Sequence, residues 1–143
     1  VCAVARSDMA VIGNIGDSRA YHITPEGIFQ ISRDHSVVEN MVAKGDLTPL
    51  EARTHPNRNL ITRALGPDIH AKADTFELPW HKDEFLLLCS DGLVNTVSDQ
   101  EMLFEVLHDG DVNECLDHLL QISLQRGAPD NITAVLLLNE EGR

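Results

Sequence analysis

The chain has 143 residues, 23 acidic and 11 basic side chains, and a formal net charge of −12. Its length is that of one domain or a piece of a larger one, and its 43% apolar and 24% charged composition excludes a wholly disordered chain. The acidic balance argues against a protein that wraps the phosphates of nucleic acid, because such binding needs clustered Lys and Arg. It is compatible with a domain that collects cations.

From the sequence we expect neither a membrane segment nor a leader peptide. Its longest purely apolar run, residues 85–89, is far shorter than the ~20 residues that cross a bilayer. Cys2, Cys89 and Cys115 are odd in number and widely spaced, and we interpret two of them as buried, reduced thiols of a cytoplasmic protein. The chain starts at Val1 inside a strand-like pattern, so we expect it to be a piece of a longer protein.

The first half of the chain predicts two hairpins followed by two helices. The strand-like segments are residues 1–5, 9–15, 19–23 and 27–31. Capping boxes, each a Ser or Thr followed three residues later by Glu, then predict helices that begin after Ser36 and Thr48.

The second half predicts further strands and a pair of helices. The strand-like segments are residues 72–78, 84–90 and 132–138, and the last is apolar enough to be buried on both faces. Helices are predicted to begin after Ser98 and Asp111. This order of elements is typical of an α+β domain with mainly antiparallel sheet.

Three aspartates stand where a strand meets a turn that contains glycine. Asp17 precedes the third strand, Asp91 follows the most apolar strand, and Asp130 precedes the last strand. Carboxylates fixed at strand ends are the oxygen ligands that Mg²⁺ or Mn²⁺ prefers. Asp-Gly and Pro-Asp-Asn are also ordinary turn sequences, so these residues alone leave metal binding and turn formation both open.

Four motifs occur in the order and rough spacing of the metal-dependent type 2C serine/threonine protein phosphatases, the PPM family. They are GDSRAY at residues 16–21, DHS at 34–36, CSDGL at 89–93 and GAPDNIT at 127–133. Residues 36–66 also look like the flap of the bacterial members. The resemblance covers residues 10–138, and four motifs in order make it specific.

The resemblance implies part of an α-β-β-α sandwich, in which two mainly antiparallel sheets are flanked by helices and the family's amino-terminal strands and helices are absent. Residues 1–143 would form one partial domain. The implied reaction is hydrolysis of phosphoserine and phosphothreonine in proteins, by water activated between two Mn²⁺ or Mg²⁺ ions. Bacterial members can hold a third ion, and they usually oppose a serine/threonine kinase, which would be a partner.

The resemblance also assigns roles to residues at matching motif positions. Asp91 and Asp130 would hold one ion of the pair and act catalytically through it, and Asp17 would join Asp91 at a third, weaker site. Asn131 would orient Asp130, and Gly92 would let the backbone turn close to the metal.

Two other groups of residues have structural alternatives. The motif Asp34-His35-Ser36 is expected to be structural, since Ser36 already caps a helix. Arg58 and Arg63 are candidates for contact with a phosphopeptide, with exposed surface as the alternative.

Several elements of the family are missing from the sequence: an Arg that binds phosphate, an Asn-Glu-Asp element, and an Asp-Gly-x-Gly-Gly element whose Asp bridges the two metals. The Asp-Gly pairs, Asp91-Gly92 and Asp109-Gly110, do not continue as Gly-Gly. We therefore expect about half of a dinuclear site. One hypothesis is the carboxy-terminal part of a working phosphatase, and the alternative is a non-catalytic, regulatory or metal-binding module that self-associates through exposed sheet edges.

Overall fold

The computed structural model describes residues 1–108 and 111–141, so the Asp109-Gly110 pair lies outside the described residues. The strands are β1 Cys2–Ala5, β2 Met9–Asn14, β3 Arg19–Thr24, β4 Gly27–Gln30, β5 Asp74–Pro79, β6 Phe85–Cys89 and β7 Ala134–Leu138. The helices are α1 Val37–Lys44, α2 Pro49–Thr54, α3 Asp91–Val94, α4 Asp99–His108 and α5 Val112–Gln125. Within the described part of the chain, no helix combines the length and apolar character needed to cross a bilayer.

The strands form two antiparallel sheets. One has the order β1-β2-β5 and the other the order β4-β3-β6-β7. Both predicted hairpins are confirmed, since β1 pairs with β2 and β3 pairs with β4. The α+β sandwich expected from the sequence is therefore confirmed.

Two apolar clusters hold the layers together. The first lies between the sheets and contains buried side chains of both, including Ile12 and Leu86. The second lies between the four-stranded sheet and the helices, and it contains Leu87, Met102 and Leu119. Burial of such a side chain contributes roughly 1.5–3 kcal/mol to the stability of the fold. Because Leu86 and Leu87 of β6 belong to different clusters, this strand is anchored in both neighbouring layers.

The structure corrects two sequence predictions. Strand β7 is an edge strand and Val135 is 50% exposed, so the expectation that this strand is buried on both faces is wrong. The residues after β6 form the short helix α3 rather than a simple turn. Both differences depend on contacts between distant segments, which an apolar run or an Asp-Gly pair does not reveal.

Candidate metal centre at the edge of the four-stranded sheet

The register of three neighbouring strands defines one edge of the four-stranded sheet. Strand β3 begins at Arg19 and β7 begins at Ala134, and both residues pair with Cys89, the last residue of β6. The loops that precede β3 and β7 therefore meet the residues that follow β6. This edge is where the three motif aspartates lie, and we call it the acidic edge.

The three aspartates of the acidic edge interact with one another electrostatically. Partial burial and the charge of Asp91 raise the pKa of Asp17, and partial burial and the charge of Asp130 raise the pKa of Asp91. Over residues 1–108 and 111–141, no ion pair joins any of the three to a basic side chain. Carboxylates that repel each other in this way are suitable donors for a hard cation.

The acidic edge is not a closed metal cage. Among the described residues, no three His, Cys, Asp or Glu side chains converge closely enough to hold an ion by themselves. The sequence prediction of Asp17, Asp91 and Asp130 as metal ligands therefore remains a prediction. A cation bound here would take further ligands from water or from other protein.

The Asp17 loop is fixed through its neighbour Gly16. Gly16 has a φ of +108°, a backbone conformation that residues with a Cβ rarely adopt. Its N–H donates to Nδ1 of His35 at 3.0 Å, and its carbonyl accepts from the N–H of His35 at 2.9 Å. The buried Asn14 side chain also donates to this carbonyl, at 3.3 Å. The peptide that leads into Asp17 is thereby held from several sides.

The loop that carries Asp130 is tied to the end of β6 by Ser90. The Ser90 N–H donates to the Thr133 carbonyl at 2.9 Å, and the Thr133 N–H donates to the Ser90 hydroxyl at 3.0 Å. The Asn131 N–H donates to Oδ1 of Asp130 at 2.7 Å. The contact between Asn131 and Asp130 is thus made by the backbone, and it limits the directions that the Asp130 carboxylate can take.

Gly92 allows α3 to pack directly against this loop. A Cβ added at Gly92 would lie 2.1 Å from the Asn131 carbonyl oxygen, which is far inside van der Waals contact. Only a residue without a side chain fits between Asp91 and the loop of Asp130. The structure therefore gives Gly92 a packing role in addition to the backbone freedom expected from the sequence.

A solvent-open cleft with a cavity volume of about 100 Å³ lies beside the acidic edge. Its lining includes Asp17 and Asp91, and also Arg53 and Arg58 from the region of α2. Arg53 was missed in the sequence analysis, although its place in the last turn of a short helix within the flap-like segment was a usable signal. The cleft thus combines negative and positive side chains, as a site for a cation and a phosphate group requires.

Arg63 does not line this cleft with Arg58. Its guanidinium donates to the carbonyl of Lys72 at 2.8 Å and to Oδ1 of Asp74 at 3.0 Å. The sequence analysis grouped Arg58 with Arg63, and the structure separates the two. Of these two arginines, Arg58 lines the cleft beside the acidic edge and Arg63 lines a different one.

The motif Asp34-His35-Ser36 makes internal contacts. Asp34 forms a two-point ion pair with Arg19, with N–O distances of 2.8 to 3.1 Å. Ser36 caps α1 by accepting from the Glu39 N–H at 3.2 Å, as predicted. These two contacts agree with the structural role expected for the motif.

The cysteine at this edge, Cys89, is poorly suited to act as a nucleophile. Cys89 and Cys115 are buried free thiols, and Cys2 is an exposed one. Burial raises the pKa of the Cys89 thiol to about 12, so the reactive thiolate is scarce at neutral pH.

Comparison with known proteins gives matches along the whole chain. No protein-family model matches it. It is 35% identical over 146 residues to the serine/threonine phosphatase stp of Listeria monocytogenes, an alignment that covers 100% of this chain and 58% of that protein. The chain spans little more than half the length of this curated relative.

Solved structures give the same result. The serine/threonine phosphatase Stp1 of Staphylococcus aureus superposes with a TM-score of 0.93 at 41% identity, covering 96% of this chain and 54% of that one. The catalytic domain of the phosphatase PstP, in complex with two manganese ions, superposes with a TM-score of 0.81 at 29% identity, covering 94% of this chain and 55% of that one. With matches to bacterial serine/threonine phosphatases in both sequence and structure, this chain belongs to the PPM family.

Proposed function

We propose that the protein to which this chain belongs is a serine/threonine protein phosphatase, and that the acidic edge supplies part of its Mn²⁺ or Mg²⁺ centre. The observation that carries the proposal is the meeting of three aspartates at one sheet edge, where no basic side chain of the described residues pairs with them. Its substrates would be phosphoserine and phosphothreonine in proteins. The proposal extends to a single partial domain with residues 36–66 as its flap, a cytoplasmic location and a serine/threonine kinase as the opposing partner.

The proposed roles follow the electrostatic coupling of the aspartates. Asp91 is coupled to both of the others, so it can share one ion with Asp130 and another with Asp17. Bound divalent cations would lower the pKa of a water molecule and neutralise charge on the phosphate. The two manganese ions in the PstP structure support a centre with more than one ion.

The cleft supplies the basic side of the proposed site. Arg58 lines the same cleft as Asp17 and Asp91, and its guanidinium can donate paired hydrogen bonds to phosphate oxygens or to an acidic peptide side chain. This arrangement supports a phosphorylated protein as the substrate class.

The proposal is tested by phosphate release from a phosphothreonine peptide, with Mn²⁺ and with a chelator. Asp91→Asn is expected to reduce release by at least about 100-fold, because it removes a carboxylate worth several kcal/mol at a metal centre. Asp8→Asn is the matched control, since Asp8 is exposed in the β1–β2 turn, at the opposite end of β2 from Asp17. Mn²⁺-dependent release by the wild type that Asp91→Asn leaves unchanged would contradict the assignment.

The alternative, a non-catalytic module that self-associates, has one specific observation in its favour. On the outer face of the three-stranded sheet Val4 is 67% exposed, its cross-strand partner Val11 40% and Met9 38%. Apolar surface of this kind favours contact with another chain. Light scattering that shows a dimer, together with no Mn²⁺-dependent release by the wild-type chain, would favour the module. A monomer with Mn²⁺-dependent release would contradict it.

A further inference from the structure

His35 connects the Asp17 loop to the first sheet through its two ring nitrogens. The ring is only 7% exposed. Nδ1 faces the Gly16 N–H at 3.0 Å, and Nε2 lies 2.7 Å from Oδ2 of Asp74. Because a backbone N–H can only donate, Nδ1 must accept, and Nε2 therefore carries the proton and donates it to Asp74.

The Asp74 carboxylate, which accepts from the His35 ring, is itself held in place. Arg63 donates to the second oxygen of Asp74 at 3.0 Å. Hydrogen bonds from His35 and Arg63 lower the pKa of Asp74, so this carboxylate remains ionised and oriented. The ring of His35 is consequently fixed in its plane and in its tautomer, as in metal and catalytic sites where a carboxylate orients a histidine.

His35 forms hydrogen bonds with both backbone polar groups of Gly16, its N–H and its carbonyl. The ring accepts from the Gly16 N–H, and the backbone N–H of His35 donates to the Gly16 carbonyl at 2.9 Å. Gly16 has a positive φ, and the direction of the next residue, Asp17, depends on that conformation. A loss of the ring contact would free the peptide that determines where the Asp17 carboxylate points.

We propose that His35 is a positioning residue for the acidic edge: held by Asp74, its imidazole fixes Gly16 and thereby directs the Asp17 carboxylate toward Asp91. This inference rests on the proposed function. The competing interpretation is a purely structural link between the Asp17 loop and β5. The two interpretations differ in which of the two ring contacts matters.

Two variants separate the ring contacts. In His35→Asn, the amide oxygen takes the place of Nδ1 and can accept from Gly16, but the side chain is too short to reach Asp74. In His35→Gln, the amide nitrogen takes the place of Nε2 and can donate to Asp74, but the Gly16 N–H loses its acceptor. Each variant keeps one hydrogen bond, so the two are expected to lose similar stability.

The first measurement is amide hydrogen exchange at Gly16 in the metal-free chain, followed by NMR. Exchange is expected to be at least about fivefold faster in His35→Gln than in His35→Asn, since an ordinary net hydrogen bond accounts for a factor of that size. The second is broadening of the Asp17 amide signal by added Mn²⁺. His35→Gln is expected to need about 10-fold more Mn²⁺ than His35→Asn, the usual effect of losing an orienting group.

Equal Gly16 exchange in the two variants, or equal Mn²⁺ requirements, would overturn the positioning role. If His35→Gln does not fold, Asp74→Asn leaves the ring in place but removes the carboxylate that orients it, and its Gly16 exchange and Mn²⁺ requirement are compared with those of the wild type. Neither measurement uses catalysis. A wild type without Mn²⁺-dependent phosphate release would count against the proposed function, and exchange and broadening would still decide the role of His35.

Discussion

Alanine at Gly92 would place one methyl group between the two aspartates that are proposed to share an ion. The added Cβ would lie 2.1 Å from the carbonyl oxygen of Asn131 and 3.0 Å from its carbon, and both are backbone atoms. Carbon and carbonyl oxygen do not normally approach below about 3.3 Å. Either α3 or the loop that carries Asp130 must therefore move by about 1 Å.

The cost of this movement follows from the contacts that resist it. The loop is tied to Ser90 by the two hydrogen bonds with Thr133, at 2.9 and 3.0 Å. Overpacking of a buried position costs about 1–3 kcal/mol, and a weakened hydrogen bond adds about 1 kcal/mol. We expect Gly92→Ala to lower the free energy of unfolding by about 2–4 kcal/mol, and Tm by roughly 5–15 °C for a chain of this size.

Thermal unfolding followed by circular dichroism measures this loss, and Gly13→Ala is the matched control. A Cβ at Gly13 meets the sulfur of Cys2 at 3.1 Å, but Cys2 is an exposed side chain on an edge strand and can rotate away. The control is expected to stay within about 1 kcal/mol of the wild type. A Tm for Gly92→Ala within about 2 °C of the wild type would refute the packing argument.

Three further predictions concern single contacts. Hydrogen bonds from Arg126 hold the pKa of Glu101 at about 2, below its ordinary 4.5, so the stability from this exposed pair is present above pH 4.5 and is lost as the pH falls through about 2. Urea unfolding should show Glu101→Gln less stable than the wild type at pH 7, by up to about 1 kcal/mol, with most of the difference gone at pH 2. Ser90→Ala removes the acceptor of the Thr133 N–H, and thermal unfolding should show a loss of about 1–2 kcal/mol. Arg53→Ala removes a side chain that lines the cleft and that donates to a backbone carbonyl of α3 at 3.2 Å. Steady-state kinetics should show a severalfold higher KM for a phosphopeptide, and thermal unfolding a loss of no more than about 1 kcal/mol.

Local interactions made part of the fold predictable from the sequence. The capping box of Thr48 and Glu51 joins residues three positions apart, and the structure contains both of its reciprocal hydrogen bonds. Ser36 caps α1 through one of these two bonds, by accepting from the Glu39 N–H. Such signals depend on neighbouring residues only, so no knowledge of the tertiary structure was needed to find these helices.

Long-range contacts account for what the sequence did not show. The helix at Asp91 depends on Gly92 packing against the Asn131 carbonyl, which comes from a loop far along the chain. The exposure of Val135 depends on the position of β7 at the edge of its sheet. An Asp-Gly pair is compatible with a turn or with a helix, and an apolar run is compatible with a buried strand or with an edge strand.

The candidate site also combines features that local sequence patterns predict with features that depend on long-range contacts. Asp17 and Asp130 could be located at strand ends from the sequence, but their approach to Asp91 depends on the pairing of β6 with β3 and β7. The sequence marked His35 as structural without indicating what it contacts. Its partner Asp74 is 39 positions away, and no local pattern connects the two.

The acidic edge combines unfavourable electrostatics with firm support of the backbone. Since burial and like charge raise the pKa values of Asp17 and Asp91, their ionisation destabilises the folded chain at neutral pH. Separate elements resist the tendency of these carboxylates to move apart: the His35 ring holds the loop before β3, and Ser90 with Gly92 holds the loop before β7. A cation would relieve the repulsion without a large rearrangement, because the backbone is already in place before it binds.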